Sequence, residues 1–122
     1  MTAIAIIGAS RDRSKYGNKA VRAYKEHGNA VYPVNPHESE IEGVPAYPSV
    51  LDIPDLVDVA SFYVPPHVGL RVIEEVAQKG IRRVLLNLGA ESDELLRRCE
   101  ELGLDATVAC SILLAGRTPS DF

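Results

Sequence analysis

The chain has 122 residues, of which 46% are apolar and 25% are charged, and its formal net charge is −4. This length fits one domain over residues 1–122. The negative charge argues against a general nucleic-acid binder, which is usually basic. No apolar run approaches the roughly 20 residues that cross a bilayer, and no signal-peptide pattern opens the chain. The sequence therefore predicts a soluble, cytoplasmic protein.

The first predicted element is an apolar strand over residues 4–7 that leads directly into Gly8. A continuous apolar run is typical of a central strand of a parallel sheet, which is covered on both faces. The glycine allows a sharp turn, and the small residues Ala9 and Ser10 allow a ligand to approach the backbone. A helical pattern from about Asn18 directs its free N–H groups at this turn, which predicts an anion site occupied by phosphate.

Three cations follow the turn within five residues: Arg11, Arg13 and Lys15. Their density favours a phosphate ligand at the turn. The alternatives are a tight strand-to-helix turn without a ligand and a solvated charged loop.

Strands and helices alternate along the rest of the chain. Strands are predicted at residues 30–34, 58–64, 83–88 and 106–109. Helices are predicted from about residue 18 to Gly28, from Pro66 to Gly80, and from Ser92 through Leu102. Residues 37–43 are predicted as a loop, residues 46–51 as a short strand with a turn, and residues 112–115 are too short to assign.

This alternation predicts an α/β fold, a single Rossmann-like doubly wound parallel sheet with helices on both faces. Ligands of such sheets lie beyond the carboxyl ends of the strands, where the strand order reverses. The loops expected at that edge are residues 8–16, 35–37, 64–67 and 87–89.

A dinucleotide fingerprint would require two further glycines and an acidic residue that closes the second strand. Ser10 and Arg13 occupy the two glycine positions, and Asn35 stands where the acid is expected. These departures weigh against NAD. No Gly-Lys-Ser/Thr follows at the spacing of a phosphate-binding P-loop.

A series of short motifs then occurs in a specific order along nearly the whole chain. They are Ile7-Gly8-Ala9-Ser10-Arg11, Lys15-Tyr16-Gly17, Val31-Tyr32-Pro33-Val34-Asn35-Pro36, Asp58-Val59, Val64-Pro65-Pro66 and Asn87-Leu88-Gly89-Ala90. In this order they resemble the stand-alone CoA-binding domain family, whose members are relatives of the nucleotide-binding domain in the α subunit of succinyl-CoA synthetase.

The resemblance implies coenzyme A as the cofactor and assigns roles to the matching residues. Those that approach the CoA diphosphate are Gly8, Ala9 and Ser10. Those that supply positive charge to the phosphates, including the 3′-phosphate, are Arg11 and Lys15. Those that line the adenosine pocket are Val34, Asn35 and Pro36, and those that lie along the nucleotide or pantetheine are Val64 and Pro65. Tyr16, Asn87 and Gly89, in the same loops, complete the set of cofactor-binding residues.

No catalytic set of nucleophile, base and acid is visible. The synthetase works through a phosphorylated histidine in a second domain, and His27, His37 and His67 do not replace it; only His67 is expected near the ligand. Cys99 lies on the apolar stripe of a helix and is expected to be buried, with Cys110 as the more reactive thiol. No metal is predicted, because no histidine stands at ligand spacing from either cysteine.

We therefore predict a CoA-binding or acyl-CoA-binding protein without catalytic machinery of its own. Two alternatives stay open: an NAD(P)-binding protein, and a subunit of an acyl-CoA-using enzyme whose site a partner chain completes. A protein partner or a homo-oligomer is open as well, whereas nucleic acid and membrane are not expected as partners.

Overall fold

The computed structural model describes residues 2–109 and has a parallel sheet of five strands at its centre. These strands are β1 (Ala3–Ile7), β2 (Ala30–Val34), β5 (Val59–Phe62), β6 (Arg83–Leu86) and β7 (Asp105–Val108). The helices are α1 (Tyr16–Glu26), α2 (Pro66–Lys79) and α3 (Asp93–Glu101). Along the chain, β2 is followed by a small antiparallel hairpin of β3 (Glu40–Ile41) and β4 (Val44–Pro45). A 3-10 turn at Val50–Asp52 comes next, before β5.

The strand order is β2-β1-β5-β6-β7, and every pair of neighbours is parallel. The chain leaves β1 for β2 on one side and then crosses back to β5 on the other side. The strand order therefore reverses at β1, and the carboxyl ends of β1 and β5 form the switch point where ligands of this architecture lie.

Each face of the sheet carries a separate hydrophobic cluster, as the alternation of side chains along β1 requires. Ile4 and Ile6 belong to the cluster that contains α1, and Ala5 and Ile7 belong to the cluster that contains α2 and α3. The buried helix residues of the two clusters are Ala20, Val21, Ala23 and Tyr24 on one face and Ile73, Val76, Leu95 and Cys99 on the other. The predicted doubly wound α/β fold with helices on both faces is confirmed.

Two local predictions are wrong. Residues 37–43 contain β3 and the hairpin turn rather than a loop alone, because strands of two residues are too short to produce a periodic pattern. Helix α1 begins at Tyr16 and not near Asn18, so Asn18 lies inside its first helical turn. In the segment 46–51, Tyr47 makes one parallel bridge to Val34, and the 3-10 turn follows.

The predicted helix start at Ser92 is confirmed, because its side chain accepts a hydrogen bond from the Leu95 N–H. Pro33, which lacks an N–H donor, lies in β2 at the edge of the five-stranded sheet. Across residues 2–109, no helix combines the length and the apolar character that spanning a membrane would require. Cys110 and residues 112–115 lie outside the described residues.

Candidate functional site

The loop between β1 and α1, residues 8–15, is called the first turn below, and Gly8 fixes its start. Gly8 has a φ of +89°, a conformation that L side chains rarely adopt. A Cβ at this position would also lie 2.8 Å from both the Tyr63 carbonyl oxygen and Val64 Cγ1. Glycine is therefore required twice, for its conformation and for the close approach of the loop after β5.

Backbone hydrogen bonds join the ends of three strands at this point. The Gly8 N–H donates to the Val34 carbonyl at 3.2 Å, and the Tyr63 N–H donates to the Ile7 carbonyl at 2.8 Å. The ends of β2, β1 and β5 are thus tied together around Gly8. The predicted site residues Gly8, Val34 and Val64 are brought to one place.

Gly17, the second residue of α1, packs directly on the loop of residues 8–15, the first turn. A Cβ on Gly17 would collide with the Gly8 carbonyl oxygen, so no other residue fits without a shift of the backbone. The third glycine of the dinucleotide fingerprint has the same task of close helix–strand packing. Sequence reasoning quoted Gly17 in a motif but gave it no role; the available signal was a glycine inside a helical turn, where it lowers helix stability.

Two asparagine side chains fix successive carbonyl groups of the first turn. Asn35 Nδ2 donates to the Ala9 carbonyl at 2.8 Å, and Asn18 Nδ2 donates to the Ser10 carbonyl at 2.8 Å. Asn35 Oδ1 also accepts the His37 N–H at 2.7 Å, so Asn35 caps its own loop and holds the first turn. The orientation of the peptide groups in the turn is therefore set by the side chain of Asn35, directly after β2, and that of Asn18 in α1.

The helices that follow β1 and β5 both begin at the switch point without a side-chain cap. Lys15 precedes α1 and Pro65 precedes α2, and neither helix has an acidic residue in its first turn. Helix α3, in contrast, is capped by Ser92 and begins with Asp93 and Glu94. No carboxylate in the first helical turn of α1 or of α2 therefore offsets the positive end of that helix dipole.

The cations of the first turn are only partly available to a ligand. Arg11 Nη1 lies 3.6 Å from Glu38 Oε2, and Arg13 Nε lies 3.6 Å from Glu42 Oε2. Lys15 is exposed, and its charge interacts with the Asp12 carboxylate of the same turn. The Arg11–Glu38 pair is the more exposed of the two, and since exposed ion pairs contribute about 0–1 kcal/mol, a phosphate could replace Glu38 at little cost.

Asp12 is an acidic residue inside the first turn, and the sequence argument gave it no weight. Its Oδ1 accepts hydrogen bonds from the Ser14 hydroxyl at 2.6 Å and the Ser14 N–H at 3.0 Å. The side-chain hydrogen bond from Ser14 is the main cause that lowers the pKa of Asp12 below its ordinary value of 3.8. This carboxylate orders the loop and reduces its net positive charge.

An open cleft of about 490 Å³ lies between the first turn and the β3–β4 hairpin. Its walls are polar and carry charges of both signs. The lining residues are Arg11, Arg13, Glu38, Ser39, Glu40, Glu42 and Gly43.

The remaining predicted site residues occupy the same edge of the sheet with different surroundings. Asn87 is buried and its Nδ2 donates to Ser61 Oγ and to the Phe62 carbonyl, so it holds the end of β5. The Gly89 N–H donates to Glu91 Oε2. The exposed residues of this remaining set are Tyr16, Pro36, Pro65 and Gly89. Lys19 Nζ lies 5.3 Å from the Tyr16 ring centroid.

The fold and the gathered loops define a Rossmann-like α/β domain whose first turn is built at the switch point. The sequence model of the family described as "CoA binding domain" matches residues 2–117. The chain belongs to this CoA-binding domain family, as the resemblance predicted.

Comparison with known proteins agrees with this membership. The chain is 40% identical to the α subunit of an ADP-forming acetate–CoA ligase II of Pyrococcus furiosus over 103 residues. The matched region covers 81% of this chain and 22% of that subunit. A conserved hypothetical protein of Pyrococcus furiosus has a TM-score of 0.88 at 39% identity and covers 93% of this chain and 99% of its own. The dinucleotide-forming acetyl-coenzyme A synthetase 1 of Ca. Korarchaeum cryptofilum has a TM-score of 0.73 at 36% identity, over 86% of this chain and 25% of its own.

The chain is therefore homologous to one portion of ADP-forming acetate–CoA ligases. It spans less than a quarter of the P. furiosus ligase subunit and a quarter of the K. cryptofilum synthetase chain. It spans almost the full length of the small P. furiosus protein.

Proposed function

We propose that this protein binds coenzyme A or an acyl-CoA and holds the diphosphate at the first turn, in front of the α1 N-terminus. The observation that carries this proposal is the construction of the turn. Gly8 and Gly17 bring backbone to backbone, and Asn18 and Asn35 fix the two carbonyls between them. Uncapped helix N–H groups next to a glycine turn form a ready site for a phosphate. Membership of the CoA-binding domain family supports CoA as the source of that phosphate.

In this proposal the residues around the turn have distinct tasks. Ala9 and Ser10 present their backbone to the diphosphate, and Arg11 and Lys15 meet the remaining phosphate charge. The residues that border the adenosine are Val34, Asn35 and Pro36, and those that lie along the nucleotide or the pantetheine are Val64 and Pro65, with Tyr16 at the rim. Asn87 and Gly89 shape the neighbouring loop.

NAD is the less favoured ligand because no carboxylate stands at the end of β2 to accept the ribose hydroxyl. Asn35 occupies that place, and its side chain is used by the protein itself at Ala9 and His37. CoA also carries a third phosphate group, which suits the cations of the first turn better than the two phosphates of NAD.

A second candidate function is that of a subunit that supplies CoA binding to a larger acyl-CoA enzyme. The observation behind it is the similarity to the α subunit of an ADP-forming acetate–CoA ligase. We propose no catalytic residue within this chain, so a partner chain would have to provide the reacting groups. Recovery of a stoichiometric partner with the tagged protein from its native cells supports this candidate, and recovery of the protein alone contradicts it.

The direct test of CoA binding uses purified protein in two measurements. Native mass spectrometry identifies the ligand that co-purifies, and calorimetry then measures the affinity for CoA. Gly8→Val provides the control, since a valine side chain would collide with Tyr63 and Val64 and close the turn. We expect CoA to bind the wild type and not a folded Gly8→Val variant. Equal affinity of the two proteins would contradict the proposed location.

A further inference from the structure

Glu42, at the tip of the β3–β4 hairpin, contacts Arg13 of the first turn and Asn18 of α1. Glu42 Oε2 accepts a hydrogen bond from Asn18 Nδ2 at 3.1 Å and lies 3.6 Å from Arg13 Nε. The Glu42 carbonyl accepts a hydrogen bond from Lys25 Nζ at 2.8 Å. Ile41 of the hairpin is fully buried in the same hydrophobic cluster as the apolar residues of α1. Glu42 is therefore fixed through both its backbone and its side chain.

Asn18 links Glu42 to the first turn, because its amide donates to both. It is fully buried, and the two N–H bonds of its amide are divided between the Ser10 carbonyl and the Glu42 carboxylate. Its Oδ1 accepts from Arg22 Nε at 2.8 Å, and Arg22 Nη2 donates to the Arg13 carbonyl at 2.8 Å. Glu42 and Arg22 thus orient the Asn18 amide together, Glu42 as the acceptor of one N–H and Arg22 as the donor to its oxygen, and the other N–H holds the peptide at Ser10.

The backbone of Glu42 shows that the hairpin by itself would favour another residue. Glu42 has a φ of +51° and Gly43 a φ of +75°, so both central residues of the two-residue turn are left-handed. Turns of this kind prefer Asn-Gly or Gly-Gly, and a glutamate at the first position is unfavourable. The benefit of Glu42 must therefore come from its side chain.

We propose that Glu42 is a positioning residue for CoA binding: through Asn18 it holds the first turn in the conformation that accepts the diphosphate. This inference rests on the proposed function for the ligand, but the contacts that carry it belong to the ligand-free protein. It opposes the simple electrostatic expectation. A carboxylate next to Arg13 and the first turn should repel a phosphate, so its removal by charge alone would strengthen binding.

The test compares two substitutions of Glu42 with a matched control on the same hairpin. Glu42→Asn removes the long carboxylate, and asparagine tolerates the left-handed backbone better, so the hairpin itself is not weakened. Glu42→Gln keeps an oxygen that accepts from Asn18. Glu40→Asn is the control, because Glu40 is exposed, lines the same cleft and loses the same charge.

Three measurements are made on each protein: the melting temperature, hydrogen–deuterium exchange of the peptide that covers residues 8–15 without ligand, and the calorimetric affinity for CoA. We expect Glu42→Asn to keep its melting temperature, to exchange faster in the first turn and to bind CoA about tenfold more weakly, which corresponds to about 1.4 kcal/mol. Glu42→Gln should keep the wild-type melting temperature and exchange, and because it loses the negative charge it should bind CoA equally or more tightly. Glu40→Asn should bind CoA equally or more tightly.

A purely structural role predicts no loss of affinity in a Glu42→Asn variant that stays folded. Tighter binding by Glu42→Asn, or unchanged exchange together with unchanged affinity, would overturn the proposal. Faster exchange in the first turn of Glu42→Asn, combined with no CoA binding by the wild type, would support the contact from Glu42 to the turn and overturn the proposed function.

Discussion

Gly8 and Gly28 share a backbone φ of +89°, but only Gly8 has neighbours where a side chain would stand. An alanine at either position adopts a left-handed conformation that costs about 1–2 kcal/mol. At Gly8 the new Cβ would also lie 2.8 Å from the Tyr63 carbonyl oxygen, whereas at Gly28 nothing lies within 4 Å. We expect Gly28→Ala to lower the free energy of unfolding by about 1 kcal/mol and Gly8→Ala by about 3 kcal/mol or more. Urea unfolding measures both, and equal losses would contradict the close approach at Gly8.

Cys99 gives a second prediction at the scale of a residue. It is buried between α3 and the sheet, and burial raises the pKa of its thiol above the ordinary value of 9.0. The unfolded chain therefore loses this proton at a lower pH than the native protein does. The resulting stability is present below the ordinary pKa and is lost as the pH rises above it.

The measurement compares urea unfolding of the wild type and Cys99→Ala at about pH 8 and about pH 10. The wild type should lose more free energy of unfolding between the two values, by at most about 1.4 kcal/mol for each pH unit above the ordinary pKa. Other titrating groups are common to both proteins and cancel in the difference. Parallel pH profiles would show that the thiol is not protected. The expected higher reactivity of Cys110 stays a prediction.

At the scale of elements, Asn35 couples β2 to the first turn, and its amide cannot be replaced by a carboxylate. Asn35→Asp keeps the acceptor for the His37 N–H but loses the donor to the Ala9 carbonyl and places two oxygen atoms against each other. Leaving a part-buried polar group without its partner costs about 1–3 kcal/mol. We expect the CoA affinity of Asn35→Asp to fall by about tenfold or more in calorimetry.

Asn29→Asp is the matched control for this substitution. Asn29 also donates its amide to a backbone carbonyl, that of Thr2 at 3.2 Å, but it precedes β2 and lies at the opposite end of the strand. The control should lose stability and keep its affinity for CoA. If both variants lose affinity equally, the effect of Asn35→Asp comes from general destabilisation and not from the first turn.

The sequence predicts the elements that repeat a pattern and misses those made by contacts between distant residues. The apolar run before Gly8 and the regular alternation of strands and helices are enough for the parallel sheet and for the edge where its loops meet. The contact between Asn18 and Glu42 joins residues 24 positions apart on a helix and a hairpin. Periodicity carries no information about such a pair, and the two-residue strands around Glu42 leave no pattern of their own.

The same limit applies to Gly17 and to the acids of the cleft. A glycine in a helical turn was visible, but the atom that makes it necessary, the Gly8 carbonyl oxygen, becomes a neighbour only after folding. The free positive charge of residues 11–15 is smaller than the number of cations predicts, because Glu38, which precedes β3, pairs with Arg11, and Glu42, at the hairpin tip, pairs with Arg13.

At the scale of the whole molecule, a protein with a net charge of −4 has to bind an anion through local charge alone. The first turn offers an exposed Lys15, whose charge interacts with Asp12, and two arginines paired with carboxylates. In the proposed complex, a phosphate at Arg11 replaces Glu38 as its anionic partner. The electrostatic gain from each phosphate is smaller than that of an unpaired cation and is screened by salt.

The choice of ligand follows from this charge balance. CoA should stabilise the protein more than dephospho-CoA, and both should do so more than NAD, because charge-assisted contacts to the 3′-phosphate contribute about 1.5–3 kcal/mol when well formed and less when the cation is shared. At a concentration of about 100 times Kd, CoA adds about 2.7 kcal/mol of stability. For a domain of this size the melting temperature should then rise on the order of 10 °C.

Thermal unfolding with each ligand, at about 0.1 M and about 0.5 M salt, measures this order and its ionic share. The difference between CoA and dephospho-CoA should shrink at the higher salt, since Arg11 and Lys15 are exposed. The double substitution Arg11→Gln and Lys15→Gln should remove the same difference at low salt while leaving the shift with dephospho-CoA largely intact, because the diphosphate depends on the backbone of the first turn. Equal shifts for the two CoA forms in the wild type would remove the role given to these cations. A larger shift of the melting temperature with NAD would contradict CoA as the ligand. The presence of Asn35, and not a carboxylate, after β2 would then not indicate which nucleotide binds.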